Sequence, residues 1–252
     1  MEALLQWLRL AWLSLASAAT VLTAVAGWGV ALYAGQRLGR RQGASADAMA
    51  DVSFWVALGA LVGGRLTAMV VHGQLTLNPL EALRLTAGLS FHGALGGALL
   101  AGWWQTRRYC LGFWRVAGWY ALYAPLGVVV ARLGCLANGF CGGRAAAPPL
   151  GLALPGSALA RLPSDLYEAV LAGGLLFLLL AVRERGGDAV LLPAFLAGYG
   201  ALRALVALTR VVPPGPWLGV EVGLSLVLAA AGGLLAWRVS RRLDISALRK
   251  AS

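Results

Sequence analysis

The chain has 252 residues, of which 60% are hydrophobic and only 12% are charged. Soluble domains carry about a quarter charged residues, so this composition excludes an ordinary soluble protein and indicates an integral membrane protein. The net charge of +11 does not indicate a nucleic-acid partner. A nucleic-acid interface clusters its basic residues on one soluble face, whereas the arginines here are dispersed between apolar runs.

Seven apolar runs follow one another along the chain, and each predicts a membrane-spanning helix, since about 20 apolar residues cross the roughly 30 Å hydrocarbon core. The first run is not expected to be a removed signal peptide, because it is too long and lacks the basic region and the cleavage site of one. No repeat or soluble insertion is visible, so residues 1–252 are predicted to form one all-α, polytopic membrane domain. The predicted spans are Leu8–Ala34, Val52–Val71, Leu89–Trp104, Val116–Leu136, Leu166–Val182, Val190–Thr209 and Trp217–Val239.

The third run is short and begins in the glycine-rich stretch 88–97. Small residues let helix backbones approach closely in lipid. We therefore expect the hairpin of the second and third spans to pack closely inside the bundle.

Basic residues gather in alternate connecting segments, which by the positive-inside rule are cytoplasmic. This places the N-terminus outside and the C-terminus in the cytoplasm, and puts loops 72–88, 137–165 and 210–216 on the outer side. The basic residues concerned are Arg37, Arg40, Arg41, Arg107, Arg108, Arg115, Arg183, Arg185, Arg238, Arg241, Arg242, Arg249 and Lys250.

Arg65, Arg132 and Arg203 lie within or at the ends of these apolar runs. A guanidinium on a membrane helix costs about 2.5–3.5 kcal/mol on insertion scales, so it usually has a buried polar role. No Asp or Glu lies nearby in sequence, and we expect an anionic group among the helices. Two alternatives are a snorkelling Arg132 and an anion pathway of a transporter, although the internal repeats typical of transporters are not visible.

The loop after Arg132 is the densest candidate site, with Asn138, Gly143 and Arg144 in the stretch ARLGCLANGFCGGRAAAPPLGLALPG. Glycines let backbone N–H groups approach a ligand, and an arginine fork suits phosphate oxygens. The loop therefore favours a lipid phosphate. An ordinary helix end followed by a Gly/Pro loop explains the same residues equally well.

The cysteines give a weaker signal. Cys135 and Cys141 flank this loop and could form a disulfide on the outer side, but buried inert thiols are the simpler interpretation. Their spacing fits no common zinc pattern, so no metal is expected.

Six segments, in this order, resemble segments of the bacterial prolipoprotein diacylglyceryl transferases. Together they extend over nearly the whole chain, and their order is more specific than any one of them. They are GGRLTAMVV (63–71), NPLEALRLTAGLSFHGALGG (78–97), FWRVAGWYALYAPLG (113–127), ARLGCLANGFCGGR (131–144), RLPSDLYEAVL (161–171) and LAGYGALRALVALTR (196–210).

The resemblance implies transfer of the diacylglyceryl group of phosphatidylglycerol to the lipobox cysteine thiol of a preprolipoprotein signal peptide, with release of glycerol phosphate. It also implies a multi-pass protein among the lipids of the bacterial plasma (inner) membrane, and no cofactor. Residues matched to catalytic positions are His92, Arg132, Tyr199 and Arg203. Residues matched to substrate or phosphate binding are Arg65, Asn138, Gly143, Arg144 and Arg210.

The reaction suits these residue types, because a base must take the thiol proton while arginines stabilise the charge on the departing phosphate. Other interpretations exist for single residues. His92 could be a hydrogen-bonded interfacial residue, Tyr199 an aromatic-belt anchor, and Arg144 and Arg210 partners of any anionic headgroup.

The chain departs from the family's pattern at three positions. Cys135 replaces an Asn, and Phe140 and Ala207 each replace a Glu, which would remove partners of Arg132 and Arg203. Glu221 is expected to replace one lost acid. The departures leave a second hypothesis, a non-catalytic phospholipid-binding membrane protein of the same fold.

Overall fold

A computed structural model describes residues 2–71, 89–137, 143–152, 159–211 and 217–251, with side chains described between residues 19 and 241. All regular secondary structure in these ranges is helical, which confirms the all-α prediction. A short 3₁₀ helix (Asp188–Val190) precedes α6. The α-helices are α1 (Glu2–Arg41), α2 (Ala46–Val71), α3 (Phe91–Arg108), α4 (Phe113–Ala137), α5 (Ser164–Gly186), α6 (Leu191–Ala207) and α7 (Trp217–Ala251).

Five helical segments of the described chain are long and apolar enough to cross a membrane. Helices suit this environment because every backbone hydrogen bond is made within the segment. Several helices continue past the apolar runs that predicted them, and α1 and α7 run on into polar residues as far as Arg41 and Ala251. The five segments are Ala46–Val71, Phe113–Leu136, Ser164–Gly186, Asp188–Ala207 and Trp217–Arg241.

The outer surface of these helices carries large apolar side chains. Leu100 is 67% exposed, Phe177 73% and Val227 67%. Apolar surface of this extent marks contact with a membrane or a partner. The chain is thus a multi-pass membrane protein whose helices present hydrocarbon to lipid.

Helices α2 and α3 pack with their backbones in close contact. A Cβ added to Gly97 would lie 2.0 Å from the carbonyl oxygen of Gly59, and one added to Gly63 would lie 2.4 Å from that of Gly93. Only glycine fits at such a distance. The close approach expected for the glycine-rich hairpin is confirmed, and it fixes the start of α3 against α2.

Helix α4 is the central element, since α1, α3, α5 and α6 all pack against it. Its Leu122 is fully buried beside Met49 of α2, Leu179 of α5 and Leu191 of α6. The starts of α3, α5 and α7 lie with the ends of α4 and α6 at one end of this bundle, which we call the site end. The opposite end carries the basic segments.

Candidate functional site

Three arginines from separate segments converge on one carboxylate at the site end. Glu168, in the second turn of α5, is fully buried. Its Oε2 lies 3.0 Å from Arg132 Nε, 3.3 Å from Arg203 Nη1 and 2.8 Å from Arg210 Nη2. The end of α4, the start of α5 and the end of α6 with the residues just after it thus meet at a single ionic cluster.

Two further acids complete this cluster. Asp165 lies three residues before Glu168 and therefore on the same helix face. Its Oδ1 lies 3.1 Å from Arg210 Nη2 and 3.6 Å from Arg132 Nη1. Glu221 reaches across from α7 and accepts a hydrogen bond from Arg203 Nη2. Three guanidinium groups thus face three carboxylates.

The anionic group expected among the helices beside Arg132 and Arg203 is a carboxylate of the chain itself. Their shared partner, Glu168, lies 36 and 35 residues away in sequence and is brought close by helix packing. The snorkelling alternative fails for the same reason, because the guanidinium of Arg132 points to Glu168 rather than to the interface. Glu221 pairs with Arg203, and Ala207 itself is fully buried, so the replacement of a lost acid by Glu221 stays a prediction.

Tyr199 is a member of the cluster and not an interface anchor. It is only 2% exposed, and its hydroxyl donates a 2.8 Å hydrogen bond to Glu168 Oε1. Its ring lies 4.8 Å from the ring of Phe91 and 5.4 Å from that of Phe195, centroid to centroid. The hydroxyl of Tyr199 therefore belongs to the ionic cluster, while its ring packs on Phe91 and Phe195.

His92 is the second residue of α3, and a side-chain cap fixes where this helix begins. Ser90 caps the helix by accepting a hydrogen bond from the Gly93 amide, which satisfies one of the free N–H groups of a helix start. The His92 Nε2 atom lies 3.4 Å from the hydroxyl of Ser225, on α7. His92 also lies within electrostatic reach of Arg203 and Glu221, so it joins the same site.

Arg65 lies on α2 and is 9% exposed. The carbonyl of its neighbour Gly64 accepts a 2.9 Å hydrogen bond from the amide of Ser90, just before α3. Arg65 is therefore close to the helix start that carries His92.

The loop residues Gly143 and Arg144 lie against the end of α6. Arg144 donates through its amide to the Thr209 carbonyl (2.9 Å) and through Nε to the Arg210 carbonyl (3.1 Å). A Cβ on Gly143 would meet the Ser164 hydroxyl oxygen at 2.2 Å, so glycine is required for this approach. Asn138 lies outside the described residues.

The cluster retains unused hydrogen-bond donors. The Nε atoms of Arg203 and Arg210 are buried and have no hydrogen-bond partner within the described ranges. A buried donor left unpaired costs free energy, and guanidinium donors are well suited to phosphate oxygens. The arrangement can therefore accept an oxyanion beside Glu168.

An apolar cavity of about 450 Å³ lies among the helices next to this cluster. Its walls include Trp28 of α1, Val56 of α2, Leu95 of α3 and Val128 of α4. Phe91 also lines the cavity and packs on Tyr199. Cavities of this size and character bind apolar ligand groups, so a hydrocarbon chain and an anion can be held side by side.

The described residues also bear on the predictions about metal and cysteine chemistry. They contain no group of three or more His, Cys, Asp or Glu arranged to hold a metal ion. Cys135 is buried in α4, as expected of an inert thiol, and Cys141, its partner in the disulfide alternative, lies outside the described ranges.

Asp165, Glu168 and Ser225 belong to the site but were not predicted as site residues. A signal for the two acids exists, because carboxylates three residues apart at the start of an apolar run share one helix face and are rare in membrane spans. Ser225 is a single hydroxyl in an apolar run and carries no comparable signal.

Comparison with known proteins identifies relatives over nearly the whole chain. The family model for prolipoprotein diacylglyceryl transferase matches residues 7–238. The phosphatidylglycerol–prolipoprotein diacylglyceryl transferase of Geobacter sulfurreducens is 39% identical over 211 residues, which cover 78% of this chain and 80% of the relative. The protein of that name from Chromohalobacter salexigens is 32% identical over 244 residues, 90% of each chain.

Proposed function

Because the chain belongs to the prolipoprotein diacylglyceryl transferase family, we propose that it transfers the diacylglyceryl group of phosphatidylglycerol to the lipobox cysteine thiol of preprolipoproteins. The observation that carries this proposal is the convergence of Arg132, Arg203 and Arg210 on Glu168, with His92 close by. An anion-binding group and a candidate base thus share one site at the end of a membrane bundle.

The phosphate of phosphatidylglycerol binds at the arginines. The Nε donors of Arg203 and Arg210 are buried and have no hydrogen-bond partner in the described chain, and the side chain of Arg132 is 22% exposed. In this proposal a phosphate oxygen approaches along the exposed part of Arg132, and Glu168 stays paired with the arginines. Glu168 keeps the three cations in place, since buried like charges would otherwise repel one another.

The apolar cavity takes an acyl chain of the lipid. Phe91, which lines the cavity, packs on Tyr199, and the Tyr199 hydroxyl donates a hydrogen bond to Glu168. A lipid with its tail in the cavity would present its glyceryl carbons and phosphate to the arginines. Binding the tail and the headgroup at fixed places holds the glyceryl carbon in position for attack, which lowers the entropy cost of the transfer reaction.

Transfer proceeds by displacement at a glyceryl carbon. His92 takes the proton of the lipobox thiol, the sulfur forms a bond to that carbon, and the carbon–oxygen bond to phosphate breaks with its electron pair on the phosphate oxygen. Arg132 and Arg203 stabilise the charge that gathers there. The imidazolium then returns its proton to the departing glycerol phosphate.

The remaining predicted residues take supporting roles in this proposal. Arg144 holds the backbone at Arg210, and Gly143 lets that loop approach α5. Arg65 lies near the start of α3 and is assigned to the lipid headgroup, as is Asn138.

The site end faces the outside of the bacterial plasma membrane in this proposal. All seven α-helices of the described ranges span the membrane, with the N-terminus outside and the C-terminus in the cytoplasm. Arg107 lies 4.2 Å from the centroid of the Trp103 ring and Arg241 4.4 Å from that of Trp237. Such arginine–tryptophan pairs suit a membrane interface, and both lie at the opposite, basic end.

Reporter fusions test this orientation. Fusions at residue 45 and at the C-terminus should report the cytoplasm, and a fusion at residue 150 should report the outside. Residue 150 on the same side as the C-terminus would refute the outer-face site.

The function itself is tested with labelled phosphatidylglycerol and a lipobox peptide in vesicles that contain the protein. The wild type should modify the peptide, and His92→Ala should lose about 10²–10⁴-fold in rate, the usual cost of removing a general base. Phosphatidylglycerol binding should survive in His92→Ala because the arginines carry the anion. Wild-type protein that binds the lipid but never modifies the peptide would establish the non-catalytic alternative instead.

A further inference from the structure

One turn of α7 faces both the base and an arginine of the site. Glu221 and Ser225 are four residues apart and so share one helix face. The Glu221 carboxylate pairs with Arg203 Nη2, and the fully buried Ser225 hydroxyl lies 3.4 Å from His92 Nε2. The proposed mechanism gives a role to neither Glu221 nor Ser225.

The single hydroxyl proton of Ser225 is already committed. Ser225 Oγ donates a 2.8 Å hydrogen bond to the backbone carbonyl of Glu221. Because a hydroxyl has one proton and two acceptor lone pairs, Ser225 can only accept from His92. If the Ser225 hydroxyl donated to His92 instead, it would lose the 2.8 Å hydrogen bond to the Glu221 carbonyl and gain only a longer one of 3.4 Å.

This geometry decides which imidazole nitrogen is protonated. In neutral histidine one ring nitrogen is a donor and the other an acceptor, and the hydrogen bond made by one of them selects the tautomer. With Ser225 accepting, Nε2 carries the proton and the lone pair lies on Nδ1. Within the described ranges no hydrogen bond to Nδ1 occurs, so that lone pair is available.

We infer that Ser225 is a positioning residue that holds neutral His92 in the Nε2–H tautomer, so that Nδ1 takes the thiol proton. This inference rests on the proposed transfer reaction for its chemical consequence, but the tautomer itself can be measured without any activity. In the reaction the thiol proton passes to Nδ1, the sulfur–carbon bond forms and the phosphate ester carbon–oxygen bond breaks. Ser225 exchanges no proton in any step.

The test measures imidazole ¹⁵N chemical shifts of histidine-labelled protein in phosphatidylglycerol vesicles. The chain has only two histidines, so His92→Ala assigns the His92 signal by its loss. Wild-type His92 should show a protonated Nε2 and an unprotonated Nδ1. Ser225→Ala should give a mixture of tautomers and lower the turnover number about tenfold, the scale of one hydrogen bond, with the KM for phosphatidylglycerol unchanged.

Ser53 supplies a matched control at the opposite end. Its hydroxyl donates to the carbonyl four residues earlier, that of Met49, at 2.8 Å and contacts the Tyr120 hydroxyl at 2.7 Å. Ser53→Ala should leave both the His92 tautomer and the turnover number unchanged. Ser225→Thr, which keeps a hydroxyl on the same Cβ, should restore the Nε2–H signal.

Two results would overturn the inference: a wild-type His92 protonated at Nδ1, or a Ser225→Ala protein with an unchanged tautomer and turnover number. A different pattern separates it from the proposed function. If the tautomer depends on Ser225 as expected but the wild type never modifies a lipobox peptide, the positioning role stands and the transfer reaction is refuted.

Discussion

The two ends of the bundle each hold a carboxylate that binds arginine, yet they are built differently. At the basic end Asp188 accepts from Trp119 Nε1 at 2.7 Å and from Arg183 Nε at 2.8 Å, one donor for each oxygen. At the site end Glu168 alone contacts three arginines. The first arrangement joins one carboxylate to one arginine, whereas the second joins three arginines to one shared carboxylate, with Asp165 and Glu221 beside them.

Burial separates the two ends further. The Asp188 side chain is 12% exposed and that of Arg183 27%, whereas Glu168 is fully buried. Buried charges cost much more to hold than exposed ones and rarely add stability over apolar packing. A costly cluster that also keeps unpaired donors is explained by ligand binding, while the Asp188 pair is explained by joining α4 to the turn between α5 and α6.

The largest effect on stability is expected from Glu168→Gln. It leaves the shape nearly unchanged but removes the charge that three arginines share, and breaking a buried ion pair costs about 3–5 kcal/mol. Thermal unfolding in uncharged detergent measures this loss. Added phosphatidylglycerol should recover more of it than a zwitterionic lipid does, because a phosphate can supply the missing negative charge.

A smaller effect is expected inside the α2–α3 contact that holds His92 in place. Gly97→Ala would put a Cβ 2.0 Å from the Gly59 carbonyl oxygen, whereas a Cβ at Gly96 meets no atom within 4 Å. Overpacking costs about 1–3 kcal/mol, so Gly97→Ala should unfold at lower temperature. Gly96→Ala is the control and should match the wild type; equal melting of both variants would refute the close contact.

Tyr199 and Tyr120 test whether only the site end takes part in lipid transfer. Tyr199→Phe removes the hydroxyl bonded to Glu168, and Tyr120→Phe removes the hydroxyl bonded to Ser53. Each should cost about 1 kcal/mol of stability, the net value of a hydrogen bond. Transfer should fall only in Tyr199→Phe, and an equal fall in Tyr120→Phe would remove the distinction between the ends.

The smallest effect is expected from Asp188→Asn. Arg183 is partly exposed, so its ion pair with Asp188 contributes about 1 kcal/mol or less, and the side-chain oxygen of Asn can still accept from Trp119 Nε1. Melting should therefore change little in the unfolding assay used for Glu168→Gln, and lipid transfer should be unchanged. A loss as large as that of Glu168→Gln would mean that both ends are structural.

The sequence predicted the helices well, because apolar runs of sufficient length leave few other structures in a membrane. It also named Arg132, Arg203, Arg210, Tyr199 and His92, through the order of motifs along the chain. It could not pair them, since Glu168 lies 31–42 residues from its four partners in sequence. Pairing depends on which faces of α4, α5 and α6 meet, and composition does not encode that.

The contacts of the Ser225 hydroxyl could not be predicted from the sequence either. The role of Ser225 depends on two distances, 2.8 Å to the Glu221 carbonyl and 3.4 Å to His92. These follow from how α7 packs beside the start of α3. A single serine in an apolar run gives no sign of either contact.

The most direct test of the account compares phosphatidylglycerol binding by Arg132→Ala and by Arg183→Ala in vesicles. Each variant removes one arginine from a carboxylate, at the site end and at the basic end respectively. Binding should weaken about tenfold or more in Arg132→Ala, as expected for a charge-assisted contact to phosphate, and transfer should fall with it, while Arg183→Ala binds and transfers like the wild type. Equal binding by both variants, or an equal loss in both, would contradict the claim that the three-arginine end is the phosphate site.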